Sequence, residues 1–117
     1  MLRKDEALEC YNKAIEINPE YAVAYENRGN VLDDLGRAEE ALDSYNKAIE
    51  LNPDDSDTYN NRGIILEDLE RYEEALESFN KAIELNPEDF DALNNRGNVL
   101  VILKRKDEAL ESFNKAI

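Results

Sequence analysis

The apolar positions of this chain fall in short stripes at three- and four-residue spacing, as in helices that bury one face. Between Ala24 and Leu35 the stripe is Ala24, Tyr25, Val31, Leu32 and Leu35, with Gly29 one turn after Tyr25. Between Ala38 and Leu51 it is Ala38, Ala41, Leu42, Tyr45, Ala48 and Ile49. Gly36 separates the two, where a residue in the left-handed conformation stops a helix. Asn52-Pro53 closes the second, because proline disfavours helical geometry in the residue before it. Asp54, Asp55 and Ser56 then offer side-chain oxygens to cap the next helix. The pattern predicts two antiparallel helices joined by a tight turn.

That unit recurs. Pro19, Pro53 and Pro87 stand 34 residues apart, as do Gly29, Gly63 and Gly97. Lys13-Ala14-Ile15 returns as Lys47-Ala48-Ile49, Lys81-Ala82-Ile83 and Lys115-Ala116-Ile117. Over all 117 residues the pattern predicts seven helices: one near 4–18, then pairs near 22–35 and 38–51, 56–69 and 72–85, and 90–103 and 106–117. The expected organisation is one array over 1–117: a lone second-type helix in 1–21, repeats at 22–55 and 56–89, and a truncated repeat at 90–117. Glu70 and Lys104 stand where Gly36 ends its helix, and a left-handed non-glycine there costs about 1 kcal/mol.

Gly29, Gly63 and Gly97 face Ala41, Ala75 and Ala109 across each pair, where small side chains let backbones approach. The rings of Tyr45, Phe79 and Phe113 are expected to fill the space between neighbouring pairs. No pair can bury its own stripe, so stability must come from stacking.

This 34-residue pattern resembles the tetratricopeptide repeat, with its leading aromatic, Leu-Gly, Tyr, Ala, Phe and Pro at fixed offsets. The first copy reads Tyr25, Arg28-Gly29, Leu32, Ala41, Tyr45 and Pro53. The second reads Tyr59, Arg62-Gly63, Leu66, Ala75, Phe79 and Pro87, and the third Leu93, Arg96-Gly97, Leu100, Ala109 and Phe113. Arg replaces the Leu before each Gly, Leu replaces the downstream Tyr, and Leu93 replaces the leading aromatic. The likeness spans the chain. It implies an all-α, αα-hairpin repeat solenoid wound as a right-handed superhelix. It also implies a concave groove that presents first-helix side chains to peptides or partner proteins, and no catalysis.

Composition narrows the chemistry. Lys and Arg number 14 against 28 Asp and Glu, a formal charge of −14, which argues against nucleic acid because phosphate needs clustered cations. There is no His, so a Ser-His-Asp triad, a Cys-His pair and a His-ligated zinc are excluded. Cys10 stands alone, so neither an intrachain disulfide nor a CxxC motif can form. The longest apolar run, Val99 to Leu103, falls far short of the roughly 18–20 residues of a membrane span. Met1 to Glu6 turns charged at once, unlike a signal peptide. The expectation is an acidic, cytoplasmic, non-enzymatic protein with no cofactor, no metal, and neither nucleic acid nor membrane as partner. Asp54-Asp55-Ser56-Asp57 begins like a calcium loop but lacks the turn glycine and the closing glutamate. Helix capping is its expected role.

Opposite the buried stripes of the first helices lie Val23, Glu26, Asn27, Asn30, Asp33 and Asp34, then Asp57, Asn60, Asn61, Ile64, Glu67 and Asp68. The third copy places Asp91, Asn94, Asn95, Asn98, Val101 and Ile102 there. The resemblance puts these on the concave face. Asn27, Asn61 and Asn95 recur at one site, and an amide with both donor and acceptor can grip a peptide backbone regardless of its sequence. The arrangement resembles the asparagine ladder in the repeat region of O-linked N-acetylglucosamine transferase. Other members clamp heat-shock protein carboxylates with Lys and Arg. The matching sites here hold Glu26, Asp91 and Asn95, with Asn30 and Asn61 retained, so that clamp is expected to be absent. Like charges at Glu26, Asp33, Asp34, Asp57, Glu67, Asp68 and Asp91 attract a segment rich in Lys or Arg. Ile64, Val101 and Ile102 would take its apolar side chains. The expected partner is a protein or peptide, basic or neutral rather than acidic.

Three further expectations concern the rest of the surface. Glu9–Lys13, Asp43–Lys47, Glu77–Lys81 and Glu111–Lys115 have the acid-before-base spacing of helix ion pairs. Arg28, Arg62 and Arg96 should pack their stems while each guanidinium reaches a carboxylate or groove solvent. Val101 and Ile102 replace two acidic pairs at an end that lacks a polar cap. The rival to a groove binder is therefore a structural spacer or self-assembling module, with a homo-oligomer through that C-terminal end. The near-identity of Arg3–Glu9 and Arg105–Glu111 also fits recent duplication or a designed fragment without a ligand of its own.

Overall fold

A computed structural model describes the backbone of residues 3–116 and the side chains of residues 3–110. Six helices follow one another: α1 (Arg3–Ile17), α2 (Ala22–Asp34), α3 (Ala38–Leu51), α4 (Ser56–Asp68), α5 (Tyr72–Leu85) and α6 (Phe90–Ala116). Each packs on the next, and α4 also touches α2 and α6. The helices therefore form two layers, with α2, α4 and α6 in one and α1, α3 and α5 in the other. Stacking hairpins extends the molecule to 59 × 31 × 22 Å.

The turns explain the boundaries. Gly36 takes φ +76° after α2, and Glu70 takes φ +61° after α4. At both turns the next two amides fold back on the helix. Gly36 N donates to Asp33 O at 2.9 Å and Arg37 N to Leu32 O at 2.8 Å, repeated by Glu70 N to Glu67 O and Arg71 N to Leu66 O. This left-handed motif satisfies carbonyls that the helix end would leave open. Asp55 Oδ1 accepts from Asp57 N at 3.1 Å and so caps α4, while Asp89 Oδ1 accepts from Ala92 N at 3.1 Å inside the first turn of α6.

Leu32, Ala41, Leu42, Tyr45, Ile65, Leu66, Ala75, Phe79 and Val99 make one continuous buried core. The Tyr45 ring presses on Gly29 and the Phe79 ring on Gly63, within their own hairpins rather than only between neighbours. The counterpart ring, Phe113, lies outside the described side chains.

Two expectations are corrected. The predicted break at Lys104 does not form, nor does a separate helix after it: α6 runs unbroken from Phe90 to Ala116, so the described residues hold six helices rather than the expected seven, the last of those over 106–117. Lys104 stays helical, which spares it the left-handed conformation that Glu70 accepts. The difference lies in what a closed turn would gain. Helix α5 is sandwiched between α4 and α6, whereas among the described residues a folded-back 106–116 segment would find only α6 to pack on. The helix ion pairs also shift register. Lys13, Lys47 and Lys81 approach Glu16, Glu50 and Glu84 at 4.0, 3.6 and 3.7 Å, three residues onward, rather than Glu9, Asp43 and Glu77. Glu111–Lys115 falls outside the described side chains.

Candidate functional site

Helices α2 and α4 lie side by side, and a cleft of about 210 Å³ opens between them, lined by Asn30, Asp33, Asp34, Tyr45, Asn61 and Ile64. Five of these six were expected in the groove. The sixth, Tyr45, reads as a core ring from its spacing, and its ring is indeed buried. Its hydroxyl nevertheless reaches the cleft floor and donates to Asn30 Oδ1. One sequence signal marks it: tyrosine stands where Phe79 and Phe113 have no hydroxyl.

The asparagines brace the layer. Asn61 Nδ2 donates to Asn30 Oδ1 at 3.5 Å, joining α4 to α2. Asn95 Nδ2 donates to Asn60 Oδ1 at 3.3 Å, joining α6 to α4. The two bridges differ in register because the residue equivalent to Asn30 in the second repeat is Ile64, which accepts nothing. Tyr45 and Asn61 both converge on one oxygen of Asn30. Asn30 Nδ2 and the Asn61 carbonyl oxygen are thus left for the groove. Asn27 is half-buried on the same helix as Asn30.

Carboxylates surround these amides. Burial pushes the Asp33 carboxyl up, helped by Asp68 across the cleft and by Asp34 beside it. Glu67 is likewise raised by burial and by Asp68. At the other end of α2, Glu26 is pushed up to about 7, first by burial and then by a hydrogen bond with Asp55 and the charges of Asp55 and Asp57. Thr58, buried beside them, donates to Glu26 and offsets part of the rise. Among the described residues no Lys or Arg lines the α2–α4 cleft. The result is an amide floor ringed by underneutralised acid, fit to accept cationic and hydrogen-bond-donating groups.

The third repeat contributes less. Asp91, Asn94, Asn98 and Val101 are exposed on α6, and Ile102 is half-buried, but none lines the cleft. Asp57 and Val23 are also exposed, on α4 and α2.

Arg28, Arg62 and Arg96 take amide and hydroxyl partners rather than carboxylates, unlike Arg37 and Arg71, which pair with Glu40 and Glu74. Arg28 Nε donates to Ser44 Oγ at 3.0 Å and its terminal nitrogen to Asn12 Oδ1 at 3.1 Å. Arg62 repeats this with Ser78 Oγ at 2.5 Å and Asn46 Oδ1 at 2.6 Å, and Arg96 donates to Asn80 Oδ1 at 2.6 Å. Each arginine thus points into the α1–α3–α5 layer, not the groove, because Ser and Asn of the second-type helices repeat on the same period. Around Arg28 this junction leaves a second cleft of about 240 Å³, with Leu8, Asn12, Arg37, Glu40 and Ser44 in its wall. Cys10 is exposed. Among the described residues no three His, Cys, Asp or Glu side chains are grouped to hold a metal, and no helix is long and apolar enough to cross a membrane.

Comparisons place this architecture. Sequence profiles described as tetratricopeptide repeat match residues 56–89 and 78–111, and one described as TPR repeat matches residues 3–36 and 29–70. No curated protein sequence matches significantly. Among solved structures, the first TPR of Spaghetti (RPAP3) bound to the HSP90 peptide SRMEEVD is similar at 29% identity and TM-score 0.85, over 87% of this chain and 81% of that one. The first TPR domain of human RPAP3 is similar at 30% identity and TM-score 0.84, over 90% of this chain and 83% of that one. The Arabidopsis OM64 TPR domain follows at 28% and 0.80, over 83% and 80%.

Proposed function

The chain belongs to the tetratricopeptide repeat family, and from that premise we propose that it is a non-catalytic protein-interaction scaffold whose α2–α4–α6 face takes an extended basic or neutral peptide segment. The observation that carries this reading is the α2–α4 cleft, where Asn30 and Asn61 are ringed by Asp33, Asp34, Glu67 and Asp68 without a lining cation. Free amide ends suit a peptide backbone. The acidic surround suits Lys or Arg side chains, steering them on approach while exposed pairs add only about 0.2–1 kcal/mol each. Val101 and Ile102 extend the face with apolar contacts, and one array over 1–117, acting in the cytoplasm, fits this reading. Neither nucleic acid nor membrane suits so acidic a surface.

One observation favours a second reading: the similar RPAP3 domain holds the acidic peptide SRMEEVD. Here the sites that the family resemblance matches to clamp cations hold Glu26, Asp91 and the neutral Asn95, and the two acids would repel a terminal carboxylate.

The experiment is a titration of labelled Lys/Arg-rich, neutral and SRMEEVD peptides against the purified chain at low salt. The proposal expects the basic peptide to bind best, and raised salt to slow its association. Preference for SRMEEVD establishes the second reading and overturns the first.

A further inference from the structure

The first two hairpins share one device. Tyr45 fills the space over Gly29, and Phe79 fills the space over Gly63. In the third repeat the residue equivalent to Phe79 is Phe113, but α6 is continuous, so Phe113 lies 16 residues along the helix from Gly97, about 24 Å away. Among the described residues the space over Gly97 is open, with no atom within 4 Å of where a Cβ would stand. The neighbouring leucine shows the same contrast: Leu32 and Leu66 are 4% and 0% exposed, whereas Leu100 is 40% exposed. On the far half of α6, Leu110 is 61% exposed and Ala109 is exposed where Ala41 and Ala75 are buried. One helix therefore carries a bare socket at its start and the matching insert at its end.

We infer that residues 106–116 of one chain dock onto the Gly97 face of α6 in a second copy, reciprocally, giving a helix-exchanged dimer. A straight helix cannot fold its end back on its own beginning, so the complementary surface must come from another molecule. The Gly63–Phe79 register makes this closure symmetric. Carried forward by 34 residues, it places Gly97 opposite Phe113 of the second copy, and Phe113 opposite the second copy's Gly97. Two α6 helices running antiparallel about a two-fold axis near Arg105 satisfy both contacts at once, the self-complementary geometry of a closed dimer. The contact is apolar, each copy carries a formal charge of −14, and the axis brings two Lys104-Arg105-Lys106 stretches together. Added salt should therefore strengthen the dimer by screening repulsion, opposite to its effect on a peptide in the acidic groove. The inference does not depend on the groove reading.

The test is sedimentation equilibrium of the full chain from micromolar to several hundred micromolar, at low and high salt. The expected result is a monomer–dimer equilibrium that tightens with salt. Gly97→Ala decides the mechanism, because a methyl there meets none of the described residues of its own chain but would collide with an inserted ring. It should weaken dimerisation at least tenfold while the monomer's helix content and melting temperature hold or rise, alanine being the better helix former. Phe113→Ala should weaken it similarly, and Lys104→Gly should favour the closed hairpin and shift the chain to monomer. A monomer at several hundred micromolar in high salt overturns the inference. So does a dimer unaffected by Gly97→Ala.

Discussion

The Phe79 ring occupies the space in which Gly63 would carry a side chain: a Cβ there would stand 2.5 Å from Cε1 and 2.8 Å from Cδ1 and Cζ. Phe79 is fully buried, so the ring has nowhere to retreat. Overpacking of this kind costs about 1–3 kcal/mol, more than alanine's better helix propensity returns. Gly63→Ala should therefore lower the urea midpoint at unchanged slope, with a loss of that size. A neutral substitution would mean that the ring shifts freely.

Glu70 offers the opposite sign. Its left-handed φ of +61° strains an L-residue by roughly 1–2 kcal/mol. It forms the same turn as Gly36, so Glu70→Gly keeps both backbone bonds and relieves that strain. We expect a gain of about 1 kcal/mol, reduced by the greater freedom of glycine in the unfolded chain. Gly36→Ala should lose a similar amount. Chemical denaturation of the two variants checks both.

The Arg62 hydrogen bonds reverse what its sequence position suggests. Had the guanidinium met a carboxylate, leucine could have replaced the ion pair without loss. Instead it donates to Asn46 and to the buried hydroxyl of Ser78. Arg62→Leu leaves that hydroxyl without its partner and should cost about 1–3 kcal/mol. Adding Ser78→Ala removes the orphaned group and should recover much of the loss. A double-mutant cycle measures this, and additive effects would show that the bond carries no coupling.

These cases mark what the chain makes legible. Helices α1 to α5 could be placed within a residue or so because Gly36, Asn52-Pro53 and Asn86-Pro87 act locally on the backbone. The positions of the amides and acids along the α2–α4 cleft were legible because they lie on one stripe of α2 and of α4. What escaped was decided between elements. Whether Lys104 turns depends on what 106–116 could pack against, and no local propensity records that. The arginines' partners sit 16 residues away on neighbouring helices, and Asn and Ser are less conspicuous candidates than Glu. The Tyr45 hydroxyl was hidden by a ring that the spacing correctly buried.

The last prediction concerns protons. Glu26 is raised from an ordinary 4.5 to about 7, by burial first and then by Asp55. Between these values the folded chain keeps a proton that the unfolded chain releases, so this group makes stability fall as pH rises from about 4.5 through 7. The half-buried carboxyl is partly screened, so the fall should be on the order of 1 kcal/mol. Glu26→Gln should remove that slope and be the more stable protein at pH 8. The same proton sets the charge at one end of the proposed groove. Between pH 6 and pH 8 Glu26 gains its charge, and a Lys/Arg-rich peptide should bind more tightly at the upper end in the parent chain but not in Glu26→Gln. Paired denaturation and peptide titrations at pH 6, 7 and 8 separate the two effects. A parent chain whose stability rises with pH over this range, relative to Glu26→Gln, would place the Glu26 carboxyl in a more exposed setting than the α2–α4 junction provides.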